Sequence, residues 1–153
     1  MSEEPVYADD LVVGARWELG TYEVTESAIV GFAADWDPQW FHVDAPAAAE
    51  RSPFGGVIAS GLHSLAILQR LSVLGAVGRW AVIAGRRMTN IEFRAPVRPG
   101  DVLDGWLVVE AIEVGQGRAL ITYSCGLVNR SGRLVLRADV EAYVRTRPLP
   151  SSA

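Results

Sequence analysis

The hydrophobic and polar positions change period along the chain, and the first third predicts one strand and one short helix. Residues 16–24 mix aromatic and β-branched side chains, which is typical of a strand. Thr25 has the side chain of a helix N-cap, and apolar residues follow it at helical spacing to about Trp36. Pro38 ends this helix because a proline cannot continue the hydrogen-bond ladder. We expect residues 37–54 to form a loop region, with a turn of helix at 47–49.

The strongest hydrophobic pattern predicts a long helix from Ser60 to Leu74. Its apolar residues cover most of a helix circumference: Leu62, Leu65, Ala66, Ile67, Leu68, Leu71 and Leu74. A helix that is apolar nearly all round is expected to lie in the core. Gly75 and Gly78 are expected to end it.

Beyond this helix the pattern changes to the alternation of strands. Residues 89–94 alternate, and the prolines and glycine of 96–100 predict a turn. Three longer strands are predicted over 102–114, 118–129 and 134–145, with hairpin-type turns between them. Such strands form an antiparallel meander, and a bent sheet of this kind can bury the helix. The predicted class is α+β, a long central helix wrapped by a bent antiparallel sheet.

Length and composition narrow the function classes. A chain of 153 residues predicts a single domain over 1–153, with a core at about 11–146 and loose ends at 1–10 and 147–153. The net charge of −4 disfavours nucleic acid, and all 14 basic residues are arginine, which excludes lysine Schiff-base chemistry. One cysteine, no long apolar run and an acidic start predict a cytoplasmic protein without a membrane segment. His42, His63 and Cys125 are too few to predict a zinc site.

The first candidate for chemistry is the segment 35–44, D-W-D-P-Q-W-F-H-V-D, in which three carboxylates flank a histidine. Histidine exchanges protons near neutral pH, and a nearby carboxylate can orient it or share the proton transfer. The alternative is that Asp35 and Asp37 cap the helix end and that His42 is a satisfied loop histidine. The residues alone leave both interpretations open.

The second candidate is the segment 54–63, F-G-G-V-I-A-S-G-L-H, which leads into the long helix. A helix start carries free N–H groups, and Gly61 would let a ligand oxygen approach them, as in an oxyanion site. The alternative is structural: Ser60 is a good N-cap, Gly61 permits close packing, and His63 packs on the first helical turn. Both interpretations stay open here as well.

In combination, D-P-Q-x-F-H-x-D, then F-G-G-x-I-A-S-G-x-H opening a hydrophobic helix, then P-V-R-P-G-D before long strands, resembles the MaoC-like dehydratases. That family includes the (R)-specific enoyl-CoA hydratases of the hotdog fold. The resemblance covers about residues 22–145 and aligns the motif D-x-N-P-x-H with Asp37 and His42. Gln39 and Trp40 replace the asparagine and the proline of that motif.

The resemblance implies a hotdog fold and a homodimer, with larger or mixed oligomers possible. It implies that Asp37 and His42 add water to a trans-2-enoyl thioester of coenzyme A or a carrier protein, without a metal or redox cofactor. Such chemistry belongs to lipid metabolism and related pathways. The start of the long helix, at Ser60 and Gly61, would bind the thioester carbonyl. The expected pocket residues are Trp40, Phe41, Phe54, Gly56 and His63. The bulky indole of Trp40 is expected either to narrow the acyl pocket or to shift the loop.

Two alternatives follow from the same resemblance. A hotdog thioesterase would need a carboxylate or another water-activating group on or near the central helix, and residues 60–74 contain no acidic side chain, which counts against this alternative. A catalytically silent thioester-binding subunit of a hetero-oligomer is the other alternative, and the presence of both Asp37 and His42 argues against it.

Overall fold

The computed structural model describes residues 3–152, and Met1, Ser2 and Ala153 lie outside the described residues. The predicted α+β class is confirmed. The helices are α1 (Glu26–Trp36), α2 (Trp40–Val43), α3 (Ala45–Arg51) and α4 (Gly61–Gly75). The strands are β1 (Arg16–Glu23), β2 (Val82–Phe93), β3 (Val102–Val114), β4 (Arg118–Asn129) and β5 (Leu134–Arg145). Single 3₁₀ turns at Ala8–Asp10 and Val77–Arg79 complete the described elements.

The strands form one five-stranded antiparallel sheet in the order β1-β3-β4-β5-β2. β3, β4 and β5 are the predicted meander, with the predicted bounds. Gly117 and Gly132 have positive φ angles, 73° and 77°, in the two connecting turns, where other residues would be strained. In β3 and β5 alternate residues face the core over most of the strand, whereas residues 123–127 of β4 are all buried. Leu107, Ile121 and Val144 are fully buried. The alternation in β3 and β5, and the turns on both sides of β4, explain why the sequence predicts the three strands well.

Helix α4 packs against β1, β3 and β4 through one side only. Its buried residues are His63, Ser64, Ile67, Leu68, Leu71 and Ser72. Leu62, Val73 and Leu74 on the remaining surface are exposed. The prediction of a helix buried nearly all round is therefore wrong for the single chain, because the sheet covers one side and leaves the other bare.

Strand β2 lies at the edge of the sheet and begins at Val82 rather than at Thr89. All twelve of its residues are exposed, and its pairing with β5 shifts register in three places. Asn90, at the last shift, has a φ of 51° and donates a hydrogen bond to Asp139 (2.8 Å). Bulges of this kind interrupt alternation, which explains why only the end of the strand was predicted.

The region 37–54, expected to be mostly loop, contains two helices. Asp44 caps α3 by accepting a hydrogen bond from the Ala47 amide (3.0 Å), and Pro46 lies in the first turn. The preceding α2 is a single turn of four residues, too short to show a helical period. These turns fold the chain back so that the segment after α1 faces the start of α4.

The expected loose ends need a correction. Arg147 donates backbone and side-chain hydrogen bonds to Asp9 (2.6 Å) and Asp10 (2.8 Å), which joins the two ends of the domain. Val6 forms a parallel bridge with Trp80. Charged partners far apart in the sequence hold these residues in place, and no local pattern predicts such contacts.

Candidate active site

Asp37 and His42 meet at the point where α1 ends and α2 begins. Asp37 is the C-cap of α1, and Pro38 directs the chain away so that α2 can present His42. His42 Nε2 lies 3.4 Å from Asp37 Oδ2. The His42 side chain is 6% exposed and that of Asp37 23%. The local turn therefore brings together the two residues that the sequence singled out.

A backbone carbonyl fixes the orientation of the His42 ring. Nδ1 lies 2.6 Å from the Ile58 carbonyl oxygen, which can only accept, so Nδ1 carries the proton and donates it. In the neutral ring Nε2 then has a free lone pair on the side of Asp37. The ring edge is also packed against Phe41, with centroids 4.4 Å apart. His42 is held in a tautomer suited to accept a proton at Nε2.

Ser60 supports the carboxylate of this pair. Its hydroxyl donates to Asp37 Oδ2 (2.7 Å) and accepts from the Leu62 amide (3.2 Å), so it is also the N-cap of α4. The predicted cap is confirmed. The Ser60 side chain is bonded to Asp37, which lies 23 residues earlier, and does not point freely toward a thioester carbonyl.

Gly61 lies where the backbone of α4 meets the side chain of Phe93. A Cβ built on Gly61 would lie 2.7 Å from the Phe93 ring, so glycine permits this packing. As the first helical residue, Gly61 has an amide without an acceptor inside the helix. Close packing and an available amide therefore coexist at this position.

These side chains line a cavity of about 520 Å³, a volume typical of small-molecule sites. Five of the predicted site residues line it: Asp37, His42, Phe54, Ser60 and Gly61. Its remaining lining residues are Ile58, Ala59, Leu62, Ser64, Phe93, Arg94, Ala95, Pro96, Val97 and Val135. The wall at 93–97 was missed, although the motif P-V-R-P-G-D that begins within it was noted as a turn.

Four predicted pocket residues lie outside the cavity lining: Trp40, Phe41, Gly56 and His63. Trp40 is half-exposed, and the Arg51 guanidinium lies over its ring at 5.0 Å. This cation–π contact places the indole beside Arg51, and a narrowing of the acyl pocket by Trp40 stays a prediction.

His63, which lies on α4, is the second buried histidine of the chain. Its ring stacks on Phe32 with centroids 4.6 Å apart, and its Nδ1 has no hydrogen-bond partner among residues 3–152. Burial lowers the pKa of His63. Its environment fits the structural interpretation, a neutral ring used for packing.

The described residues offer little for other chemistries. No group of three or more potential metal ligands occurs within residues 3–152. Cys125 is buried in β4, and burial raises the pKa of its thiol to about 12, which makes it unreactive near neutral pH. None of the helices in this part of the chain is long and apolar enough to cross a membrane.

Comparison with known sequences agrees with the resemblance. The family described as "MaoC like domain" matches residues 6–127. The 3-hydroxybutyryl-CoA dehydratase of Methylorubrum extorquens is 32% identical over 125 residues, covering 80% of this chain and 75% of that protein.

Comparison with solved structures agrees with the fold. The MaoC-like dehydratase from Rhodospirillum rubrum superposes with a TM-score of 0.84 and 36% identity, over 94% of this chain and 99% of that chain. A conserved hypothetical protein from Mycobacterium tuberculosis, described as a double hotdog fold, gives 0.77 and 20% identity over 98% of this chain and 47% of that chain. The predicted hotdog fold is confirmed.

Proposed function

This chain belongs to the MaoC-like domain family, and we propose that it adds water reversibly to a trans-2-enoyl thioester to give a 3-hydroxyacyl thioester. The observation that carries the proposal is the Asp37–His42 pair. Its facing atoms lie 3.4 Å apart in the wall of a cavity large enough for a thioester. Both groups can accept hydrogen bonds, and hydration of an alkene needs acceptors for the protons of water.

The pair can hold one water molecule through its two hydrogens. His42 Nε2 and Asp37 Oδ2 are close enough for a single water oxygen to donate to both. As that oxygen bonds to C3 of the enoyl group, His42 Nε2 takes one proton. The same pair then delivers a proton to C2 from the same face, which gives syn addition. Dehydration is the reverse of these steps.

Negative charge grows on the thioester oxygen during this reaction and needs a hydrogen-bond donor. We assign this role to the Gly61 amide, which lines the cavity at the positive end of α4. Ser60 then acts through Asp37, since its hydroxyl is already bonded to that carboxylate. Proton transfer of this kind requires no metal or redox cofactor, and the acyl group would arrive on coenzyme A or a carrier protein.

We also propose that the chain works as a homodimer joined through β2. Its unpaired edge is twelve residues long and bears the exposed apolar side chains Val82, Ile83, Met88, Ile91 and Phe93. A long apolar edge strand invites pairing, and a second copy related by a two-fold axis offers an antiparallel partner. Sedimentation velocity should give the mass of a dimer, and a monomer at assay concentration contradicts this part of the proposal.

The reaction is tested by following the loss of enoyl absorbance when the chain meets crotonyl-CoA and a longer trans-2-enoyl-CoA. Turnover that disappears in His42→Ala supports the proposal. Free thiol is titrated in the same samples, and its release without formation of the 3-hydroxyacyl product would instead indicate a thioesterase. Wild-type chain without turnover on any enoyl thioester contradicts the proposed activity and leaves the silent-subunit alternative.

A further inference from the structure

One wall of the cavity consists of residues 93–97. We call residues 94–98, which overlap this wall and continue beyond it, the rim segment, and hydrogen bonds hold it on two sides. The Arg94 amide donates to the Val135 carbonyl (2.9 Å). The Val97 carbonyl accepts from the Ala59 amide (2.9 Å). The rim segment therefore presents an arginine at each end from a fixed backbone.

The Arg98 guanidinium is hydrogen-bonded to a residue of the cavity wall, and no carboxylate neutralises its charge. It donates to the backbone carbonyl of Phe54, a lining residue of the cavity. Asp101, the nearby carboxylate, accepts from the Arg98 backbone amide instead (2.8 Å). No carboxylate of residues 3–152 forms an ion pair with the Arg98 side chain. Because a guanidinium has five N–H donors, the contact with Phe54 leaves donors for a ligand.

Arg94 adds a second positive charge beside the first. It lines the cavity directly, and its guanidinium pairs with Glu92 at 2.8 Å. Both side chains are about half-exposed, and exposed pairs of this kind contribute little to stability. Arg94 can therefore turn from Glu92 to an anionic ligand at small cost.

Exposure along the cavity places Arg98 at its open side. His42 lies at the buried end, whereas Leu62 and Phe54, to which Arg98 is bonded, are exposed. A thioester that reacts beside His42 and extends outward past Phe54 would pass the Arg98 guanidinium, which is bonded to the Phe54 carbonyl. In a chain of net charge −4 with a carboxylate inside the cavity, an anionic ligand depends on such local cations.

We infer that Arg98, assisted by Arg94, binds a phosphate of the thiol carrier. The inference rests on the proposed function, because it assumes that the cavity binds a thioester. A guanidinium can donate two parallel hydrogen bonds to a phosphate, and this contact selects phosphorylated carriers. The shared chemistry is the phosphate of 4′-phosphopantetheine, which coenzyme A and carrier proteins both contain.

The test compares three thioesters of one enoyl group, carried on coenzyme A, on 4′-phosphopantetheine and on pantetheine, which has no phosphate. Arg98→Gln keeps a donor for the Phe54 carbonyl and removes the charge. The KM of this variant for the coenzyme A thioester should rise about tenfold, because one charge-assisted contact is lost. Its kcat and its KM for the pantetheine thioester should each change less than about twofold.

Two further variants control for charge. Arg98→Lys keeps the charge and should restore most of the affinity. Arg145→Gln makes the same change of net charge at an exposed residue that ends β5, and it should leave all three KM values unchanged.

The outcomes separate the phosphate contact from other roles of Arg98. Equal KM increases on both phosphorylated thioesters support the contact and assign it to the shared phosphate, and an increase for coenzyme A alone assigns it to the nucleotide phosphates. Equal losses on all three thioesters indicate a structural role and overturn the inference, as do unchanged KM values.

Wild-type chain that hydrates none of the three thioesters contradicts the proposed function, and calorimetric titration with coenzyme A and with pantetheine then decides the phosphate contact. Binding of coenzyme A that Arg98→Gln weakens about tenfold, without an effect on pantetheine, supports the contact. Absence of coenzyme A binding, or binding insensitive to Arg98, overturns it.

Discussion

The two histidines of the chain are equally buried, at 5% exposure for His42 and 6% for His63, yet they have opposite surroundings. His42 has the Ile58 carbonyl on Nδ1 and the Asp37 carboxylate near Nε2. His63 has an aromatic ring stacked on its face and no partner for Nδ1 among residues 3–152. Burial alone therefore does not make a histidine fit for proton transfer.

What distinguishes His42 is the fixed direction of its lone pair. A defined tautomer and a carboxylate beside the accepting nitrogen prepare the ring to take a proton from a bound molecule. His63 has neither, and burial lowers its pKa, so it stays uncharged as a packing residue.

The largest expected effect comes from making the same substitution at each histidine. His42→Phe should lower kcat by about 10²–10⁴-fold, because the accepting nitrogen is lost. His63→Phe should keep kcat within about twofold of wild type, since phenylalanine preserves the stacking on Phe32 and removes an unpaired nitrogen. Steady-state hydration of an enoyl thioester measures both. Similar losses in the two variants would mean that the contrast does not reflect catalysis.

An intermediate effect is expected from Ser60→Ala. The substitution removes a helix cap, which should lower the free energy of unfolding by about 1 kcal/mol. It also removes the hydrogen bond that holds Asp37. Its matched control is Thr25→Ala, which removes the equivalent cap of α1, the Ala28 amide bond of 3.1 Å, without touching the pair.

Urea unfolding and kcat are measured for both cap variants. Both variants should lose stability, and a loss of kcat, about tenfold, should occur in Ser60→Ala alone, because only Ser60 contacts the pair. If kcat falls equally in the two variants, Ser60 acts only as a helix cap.

The smallest expected effect is a pH dependence of stability that originates at His63. Since burial lowers its pKa below the ordinary 6.5, the unfolded chain binds this proton first as pH falls. The free energy of unfolding should therefore be unaffected by His63 above pH 6.5 and decrease below it. His63→Phe should remove that part of the slope. Parallel urea-unfolding curves for wild type and His63→Phe across this range would contradict the prediction.

The sequence predicted those parts of the fold in which one face of an element is buried regularly. β3 and β5 alternate over most of their length on the core side, β4 is bounded by turns at both ends, and α1 has a capping residue and a proline at its ends. β2 was predicted only in part, because its bulges and exposure on both sides remove the periodic pattern. α2 was missed because four residues cannot display a helical period.

The sequence predicted the site residues that lie close together in the chain and missed the contacts between segments far apart in the chain. Asp37 and His42 are five positions apart, and the resemblance to a known motif singled them out. The bond from Ser60 to Asp37 and the wall at 93–97 depend on how α4 and β2 meet in space. No spacing within the chain encodes those contacts.

The central claim is that the carboxylate beside His42 takes part in proton transfer, and one pair of variants tests it most directly. Asp37→Asn and the exposed Asp35→Asn make the same chemical change two residues apart. Hydration of an enoyl thioester should lose about 10²–10⁴-fold in kcat with Asp37→Asn and stay within about twofold of wild type with Asp35→Asn. Wild-type turnover in Asp37→Asn, or equal losses in both variants, would contradict the account.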